Sequence, residues 1–213
     1  MSLLPLYQQV EHQEWIDIPS GWLQGRTVFG GLVAGLLAQK ALNVVNDAAK
    51  QLLSCNITFV GPVQEGQAKL TAEVLRQGKS VTTLEVRLWQ ADAVQSILIA
   101  SFGAQRESRI HVQNLPQVPH YPQPEQLDKT AYIEGLMPQC LQQFELCWAE
   151  GSYPMAGSKL PDFGGWSRVI TDFHTNRDKK IAYLFYFIAR ILFFVYNQSL
   201  IEVNSIVDFL KLC

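Results

Sequence analysis

The sequence has no basic excess: 17 Lys and Arg stand against 19 Asp and Glu, a formal net charge of −2. With no arginine- or lysine-rich stripe, nucleic acid is not expected as a partner. Cysteine is scarce. Cys55, Cys140, Cys147 and Cys213 form no Cys-x-x-Cys pair, and the four histidines are scattered. Zinc-type ligand spacing is absent, so no metal is expected, and the thiols read as free in a reducing compartment. The opening "MSLLPLYQQVEHQEW" lacks the basic stretch and apolar segment of a secretory signal, which makes cytoplasm the expected location. Glycine and proline stop early: all 14 glycines and all 10 prolines lie at or before Gly165. The remainder is rich in Phe, Ile, Tyr and Asn and contains one glutamine, Gln198.

Within the first half, "RTVFGGLVAGLLAQ" (26–39) places paired glycines before an apolar run. A P-loop would need Gly-Lys-Ser/Thr where Gly30, Gly31 and Leu32 stand, and a Rossmann turn would need Gly-x-Gly-x-x-Gly after a strand. Gly31-x-x-x-Gly35 has the spacing of membrane-helix contacts, but Gln39 and Lys40 end the run too soon. Leu32, Val33, Leu36, Leu37, Leu42 and Val45 recur at three- and four-residue spacings, which predicts a helix over 30–45. It is apolar over most of its circumference, so other structure should wrap it.

A short strand or turn is expected at Trp15–Ile18, broken by Pro19-Ser20-Gly21. After the helix come four strand signals: Ser54–Gly61, Ala68–Arg76, Ser80–Gln90 and Val94–Gly103. Leu84, Val86 and Leu88 share one face of the third, Glu85 and Arg87 the other. Tight turns near Gly78 and at Ala91-Asp92 make the last three an antiparallel meander curling around the helix, an α+β arrangement. Pro116, Pro119, Pro122 and Pro124 exclude a helix or central strand over 112–130, which reads as an extended linker. Strand character returns over Cys140–Gly151, and Ser152–Trp166 reads as a loop.

In order and spacing, Val28-Phe29-Gly30-Gly31, Phe59-x-Gly61-Pro62, Leu75-Arg76-x-Gly78-Lys79-Ser80 and Ala100-Ser101-Phe102 resemble the acyl-CoA thioesterase II (TesB-like) family. Each motif is weak alone; together they cover roughly residues 15–110. The stretch "FELCWAEGSYPMAGSKLPDFGGWSR" (144–168) resembles the opening strands of that family's second repeat. The resemblance implies a double hotdog, each half a long helix wrapped by an antiparallel sheet. On that basis 1–111 is an N-terminal hotdog domain, 112–139 a Pro-rich linker, 140–168 the start of a second hotdog and 169–213 an anomalous apolar tail. It also implies hydrolysis of fatty acyl-CoA to free acid and CoA, no cofactor, and association into homo-oligomers through the sheets.

Amides at Gly30 and Gly31 would meet an anion or a developing oxyanion at the positive end of the helix. The plainer alternative is that these glycines only permit tight helix–sheet packing; both stay open. Arg76 and Lys79, flanking the Gly78 turn, and Ser80 are candidate contacts for CoA phosphates, or an ordinary solvated hairpin. Asn56 and Thr58 would line the acyl tunnel or satisfy neighbouring backbone. Glu73, Glu85 and Asp92 read as solvated or turn residues, and Asp47 comes only at the far end of the helix.

No catalytic residue is assigned. The resemblance implies an aspartate on the second hotdog's helix, aided by a hydroxyl and a glutamine from later strands. Asp172 and Asp178 lie in the tail without a surrounding family motif. The expectation is a truncated or frame-shifted family member, checked by translating the neighbouring frames beyond codon 168. Non-catalytic acyl-CoA binding or oligomerisation, and an inactive product, are the alternatives. Ile181–Tyr196 is apolar except for Arg190. As a helix it would span about 24 Å against about 30 Å of hydrocarbon, so a buried or aggregation-prone helix is expected over a membrane span.

Overall fold

The computed structural model describes residues 3–104, 107, 110, 120–153, 156 and 163–170. The chain opens with a helix that sequence patterning did not single out, α1 (Leu4–His12). Pro5 stands in its first turn, where a missing N–H costs nothing. Leu6, Tyr7 and Val10, three and four residues apart, form its buried face. Strand β1 (Trp15–Ile18) buries Ile16 and Ile18 and exposes Trp15 and Asp17. A small hairpin, β2 (Leu23–Gln24) and β3 (Thr27–Val28), then leads into α2 (Gly30–Val45).

The bounds of α2 are those expected from its periodicity. It ends where Asn46 turns left-handed (φ 42°) and sends its N–H to the Leu42 carbonyl, a common helix stop. Every residue from Gly31 to Gln39 is buried, so the helix is wrapped on all sides. Leu32, Leu36 and Leu37 are fully buried, and removal of each such side chain from water stabilises the fold by about 1.5–3 kcal/mol. On one flank, Asn43 Nδ2 donates to the Val10 carbonyl (3.2 Å) and Lys40 Nζ to the Gln13 carbonyl (3.3 Å), which docks α1.

The wrapping sheet contains β4 (Lys50–Phe59), β5 (Gly66–Gln77), β6 (Val81–Gln90) and β7 (Ala93–Ala104), in the order β1-β5-β6-β7-β4. Strands β5, β6 and β7 form the expected antiparallel meander. Ala91 (φ 48°) and Asp92 (φ 61°) make the tight turn between β6 and β7. Leu84, Val86 and Leu88 of β6 and Leu98, Ala100 and Phe102 of β7 are buried in the cluster that contains α2. One long helix wrapped by a curled antiparallel sheet is the hotdog arrangement, α+β in class.

The later segment departs from expectation in three ways. The Pro-rich stretch was expected to run extended, yet Pro124–Gln126 forms a 3-10 turn. Thr130 N–H donates to the Leu146 carbonyl (2.8 Å), and Trp166 Nε1 donates to the Pro122 carbonyl (2.8 Å), so residues from Pro122 to Thr130 pack on segments later in the chain. Gln139–Gln143 is a second 3-10 turn, so strand β8 begins only at Phe144 and runs to Gly151. Phe163–Val169, read as loop as far as Trp166, is strand β9, paired antiparallel with β8. Gly164 and Gly165 weaken a strand by propensity. They are needed here because a β-carbon at either would strike Tyr121 or the Cys147 carbonyl. Val169, assigned to the tail by sequence, pairs with Phe144 at the end of this hairpin. The rest of the tail beyond Ile170, with Asp172, Asp178 and the apolar run 181–196, lies outside the described residues. No helix among the described residues is long and apolar enough to cross a membrane.

Candidate functional site

The start of α2 is built from three short pieces. Val28 N–H donates to the Val63 carbonyl (2.8 Å), and Thr27 Oγ1 to the same carbonyl (3.1 Å), fixing β3 against the loop between β4 and β5. Phe29 N–H donates to the Trp22 carbonyl (2.7 Å). The Phe29 carbonyl accepts from Leu32 (2.9 Å) and Val33 (3.2 Å), closing the first turn. The amides of Gly30 and Gly31 find no acceptor among the described residues. No acidic side chain stands in the first turn, so no residue of α2 itself offsets the positive end of its dipole.

Aromatic rings close over this point. The Phe29 ring lies against Gly31, where any β-carbon would collide with it. Phe144 of β8 meets Phe29 edge-on, centroids 5.6 Å apart at 77°, and meets Trp22 edge-on at 6.1 Å and 80°. Trp22 is fully buried, and its Nε1–H has no acceptor among the described residues. Glu65 is tied into this end by accepting from Gly21 N–H at 2.8 Å. Sequence reasoning missed Trp22, Glu65 and Phe144. No spacing links Phe144 to a glycine pair more than a hundred residues earlier.

The remaining sequence candidates lie elsewhere. The hairpin carrying Arg76, Lys79 and Ser80 sits where the chain leaves α2: Val81 pairs with Gly103, and Lys50 with Ala104. The 16 residues of α2 put about 24 Å between that end and Gly30. Within one chain the two groups are not brought together. Arg76 and Lys79 are exposed, and Ser80 is half-buried with its carbonyl accepting from Ala104 N–H (3.4 Å). Asn56 and Thr58 are exposed and stand opposite Ile99 and Ile97. Their neighbours Cys55 and Ile57 pair with the buried Ala100 and Leu98. Asn56 and Thr58 therefore occupy the sheet face turned away from α2.

Glu73 and Glu85 oppose each other on that same outer face, beside a shallow hollow of about 180 Å³ lined by Thr71, Ala72, Arg87 and Trp89. Arg87 Nε pairs with Glu85 at 2.5 Å. Both carboxylates thus stand across the sheet from the start of α2. Among the described residues no group of three or more His, Cys, Asp or Glu could hold a metal ion.

Residues 18–103 match the family described as the acyl-CoA thioesterase N-terminal domain. No curated protein matches the sequence. Among solved structures, a hot dog fold protein of unknown function from Alicyclobacillus acidocaldarius superposes with a TM-score of 0.65. It is 19% identical, over 83% of this chain and 65% of that one. The acyl-CoA thioesterase II TesB2 of Mycobacterium marinum superposes with a TM-score of 0.59. It is also 19% identical, over 85% of this chain and 67% of that one. At such identity the two establish a shared fold. The chain spans about two thirds of the length of each. Residues 18–103 are thus similar to an acyl-CoA thioesterase N-terminal domain, and the fold that carries them is the hotdog.

Proposed function

We propose that this domain binds fatty acyl-CoA at the start of α2 and takes part in hydrolysis of its thioester to free acid and CoA. The observation that carries this reading is the pair of amides at Gly30 and Gly31 that find no acceptor among the described residues, at a helix terminus roofed by aromatic rings. The thioester carbonyl oxygen would accept from them. As water adds to the carbonyl carbon, charge gathers on that oxygen, and fixed amides in a water-poor site stabilise it. The tetrahedral intermediate then collapses, the C–S bond breaks, and CoA leaves as the thiol with the proton taken from water. Three described cysteines are free thiols, in keeping with the cytoplasm as the proposed compartment.

The proposed partner is a second copy of the chain. Strand β4 is an edge of the sheet and carries exposed Leu53 and Phe59, with exposed Val60 just beyond. Strand β4 runs from the Lys50 end, beside the Arg76–Ser80 hairpin, to the Phe59 end, beside the start of α2. Antiparallel pairing of two β4 strands about a two-fold axis would therefore bring Arg76, Lys79 and Ser80 of one copy toward Gly30 and Gly31 of the other. That would reconcile two groups of residues that one chain keeps apart.

A second reading, non-catalytic acyl-CoA binding, is favoured by one observation: no carboxylate stands in the first turn of α2 to orient water. Incubation with acyl-CoA and a thiol reagent separates the two. Hydrolysis supports the first reading. Stabilisation of the fold by CoA without hydrolysis supports the second, and neither response rejects both.

A further inference from the structure

We propose that Phe144 is a positioning residue for the start of α2: it holds Phe29 in place and thereby aims the Gly30 and Gly31 amides. This rests on the reading of the α2 start as the acyl-CoA site. Phe144 belongs to β8, yet the residue is only 8% exposed and sits in the same core cluster as α2. Its edge contacts reach Trp22 and Phe29, the two residues joined by the Phe29 N–H to Trp22 carbonyl bond. Its chain neighbour Gln143 donates from Nε2 to the Gly21 carbonyl (3.3 Å), while Gly21 N–H is held by Glu65. The Gly21–Trp22 turn is thus gripped on both sides.

Phe29 is fixed at every group that matters to the helix start. Its amide is bound by Trp22, its carbonyl receives Leu32 and Val33, and its ring is caught between Gly31 and Phe144. Glycines at 30 and 31 have little intrinsic conformational preference, so the direction of their amides depends on the residue before them. The Phe144 ring cannot donate or accept the reacting proton. Its contribution is to hold geometry and to exclude water where charge develops. The rest of α2 packs on Leu84, Val86, Leu88, Leu98 and Ala100, so loss of the ring should act locally.

The test uses the full chain with Phe144→Ala and Phe144→Leu. Amide exchange is read at Leu32 and Val33, which donate to the Phe29 carbonyl, and in β5–β7. The expected result for Phe144→Ala is exchange at Leu32 and Val33 faster by about tenfold or more with β5–β7 unchanged, and recovery to within about threefold in Phe144→Leu. In hydrolysis, Phe144→Ala should lower kcat by about tenfold with KM within about threefold, and Phe144→Leu should restore most of it. The proposal is overturned by unchanged exchange at Leu32 and Val33, by a loss carried in KM alone, or by loosening of β5–β7 in both variants. Should the unaltered chain not hydrolyse acyl-CoA, the thioesterase reading falls, and exchange alone decides the role of Phe144.

Discussion

The ring of Phe29 fills the space beside Gly31 that a β-carbon there would need. Phe29 is buried and backed edge-on by Phe144, so its ring has nowhere to go. Two effects compete in Gly31→Ala. Alanine in a helix interior gains about 1 kcal/mol over glycine, and overpacking a tight site costs about 1–3 kcal/mol. With the ring pinned, overpacking should win. The expected outcome in urea unfolding is a net loss of up to about 2 kcal/mol. Phe29→Leu in the same chain should recover part of that loss, as a negative coupling in a double-mutant cycle. A stabilised Gly31→Ala variant would show that the ring moves freely.

The glycine pair in β9 makes a sharper contrast. A β-carbon at Gly165 would meet the Cys147 carbonyl, with the Ala149 amide nitrogen and Trp148 Cα both at 3.1 Å. All three are backbone atoms of the paired strand and cannot yield. At Gly164 the obstacle is the side chain of Tyr121, which can. Gly165→Ala should therefore disrupt the β8–β9 hairpin, at a cost of about 3 kcal/mol or more, while Gly164→Ala costs about 1 kcal/mol. The stack of Trp148 between Tyr153 (4.7 Å) and Phe163 (5.0 Å) supplies the readout. Its near-UV circular dichroism should vanish in the first variant and persist in the second.

How far each cause reaches along the chain decides which parts of this fold are legible in the sequence. The bounds of α2 were legible because a three- and four-residue apolar rhythm is a local signal; the left-handed stop at Asn46 was seen only in the structure. The meander was legible because Gly78 and Ala91-Asp92 are turn chemistry. Helix α1 carries the same kind of signal, Pro5 followed by Leu6, Tyr7 and Val10, but is too short for periodicity to stand out. Strand β9 was hidden because its glycines answer to Cys147 and Tyr121, partners that local composition does not display. Asn56 and Thr58 are polar residues of a largely apolar strand, which suggested a tunnel. The alternation Cys55, Ile57, seated on Ala100 and Leu98, turns them away from α2. The shared grip of Trp22 and Phe144 on Phe29 joins three distant parts of the chain, and no pattern in any one of them foretells it.

Glu145 is where protonation should reach the later segment. Its carboxylate meets Lys129 Nζ at 2.5 Å and Arg168 Nε at 2.9 Å. The hydrogen bond from Lys129 is the largest influence and lowers its pKa; desolvation pushes the other way, and the hydrogen bond and charge of Arg168 add to the lowering, so the net direction is down. A carboxylate with a lowered folded-state pKa contributes stability above its unfolded value, and that contribution is lost as pH falls through the folded value. Below about pH 4 the strand pairing at Lys129 and Cys147 should loosen. The amide resonance of Thr130, bonded to the Leu146 carbonyl, reports it. Glu145→Gln should show the acid-state shift already at pH 7, and salt should weaken the effect, since Lys129 and Arg168 are both exposed.

Cys140 should be chemically silent until the clamp around it opens. It is 1% exposed in the turn before Phe144, and burial pushes its thiol up to about 12. Only the thiolate attacks a maleimide or disulfide reagent, so at pH 8 about one molecule in ten thousand would be reactive even if the reagent could enter. Cys55 is less buried and raised by burial as well; it should label first. Mass-spectrometric mapping of a labelling time course checks the order. Phe144→Ala should admit water beside Cys140, restore its thiolate fraction and accelerate its labelling, with Cys55 unchanged as the internal control. Equal labelling of Cys140 in both proteins would mean that the turn stays shut without the ring, and that Phe144 is not what closes it.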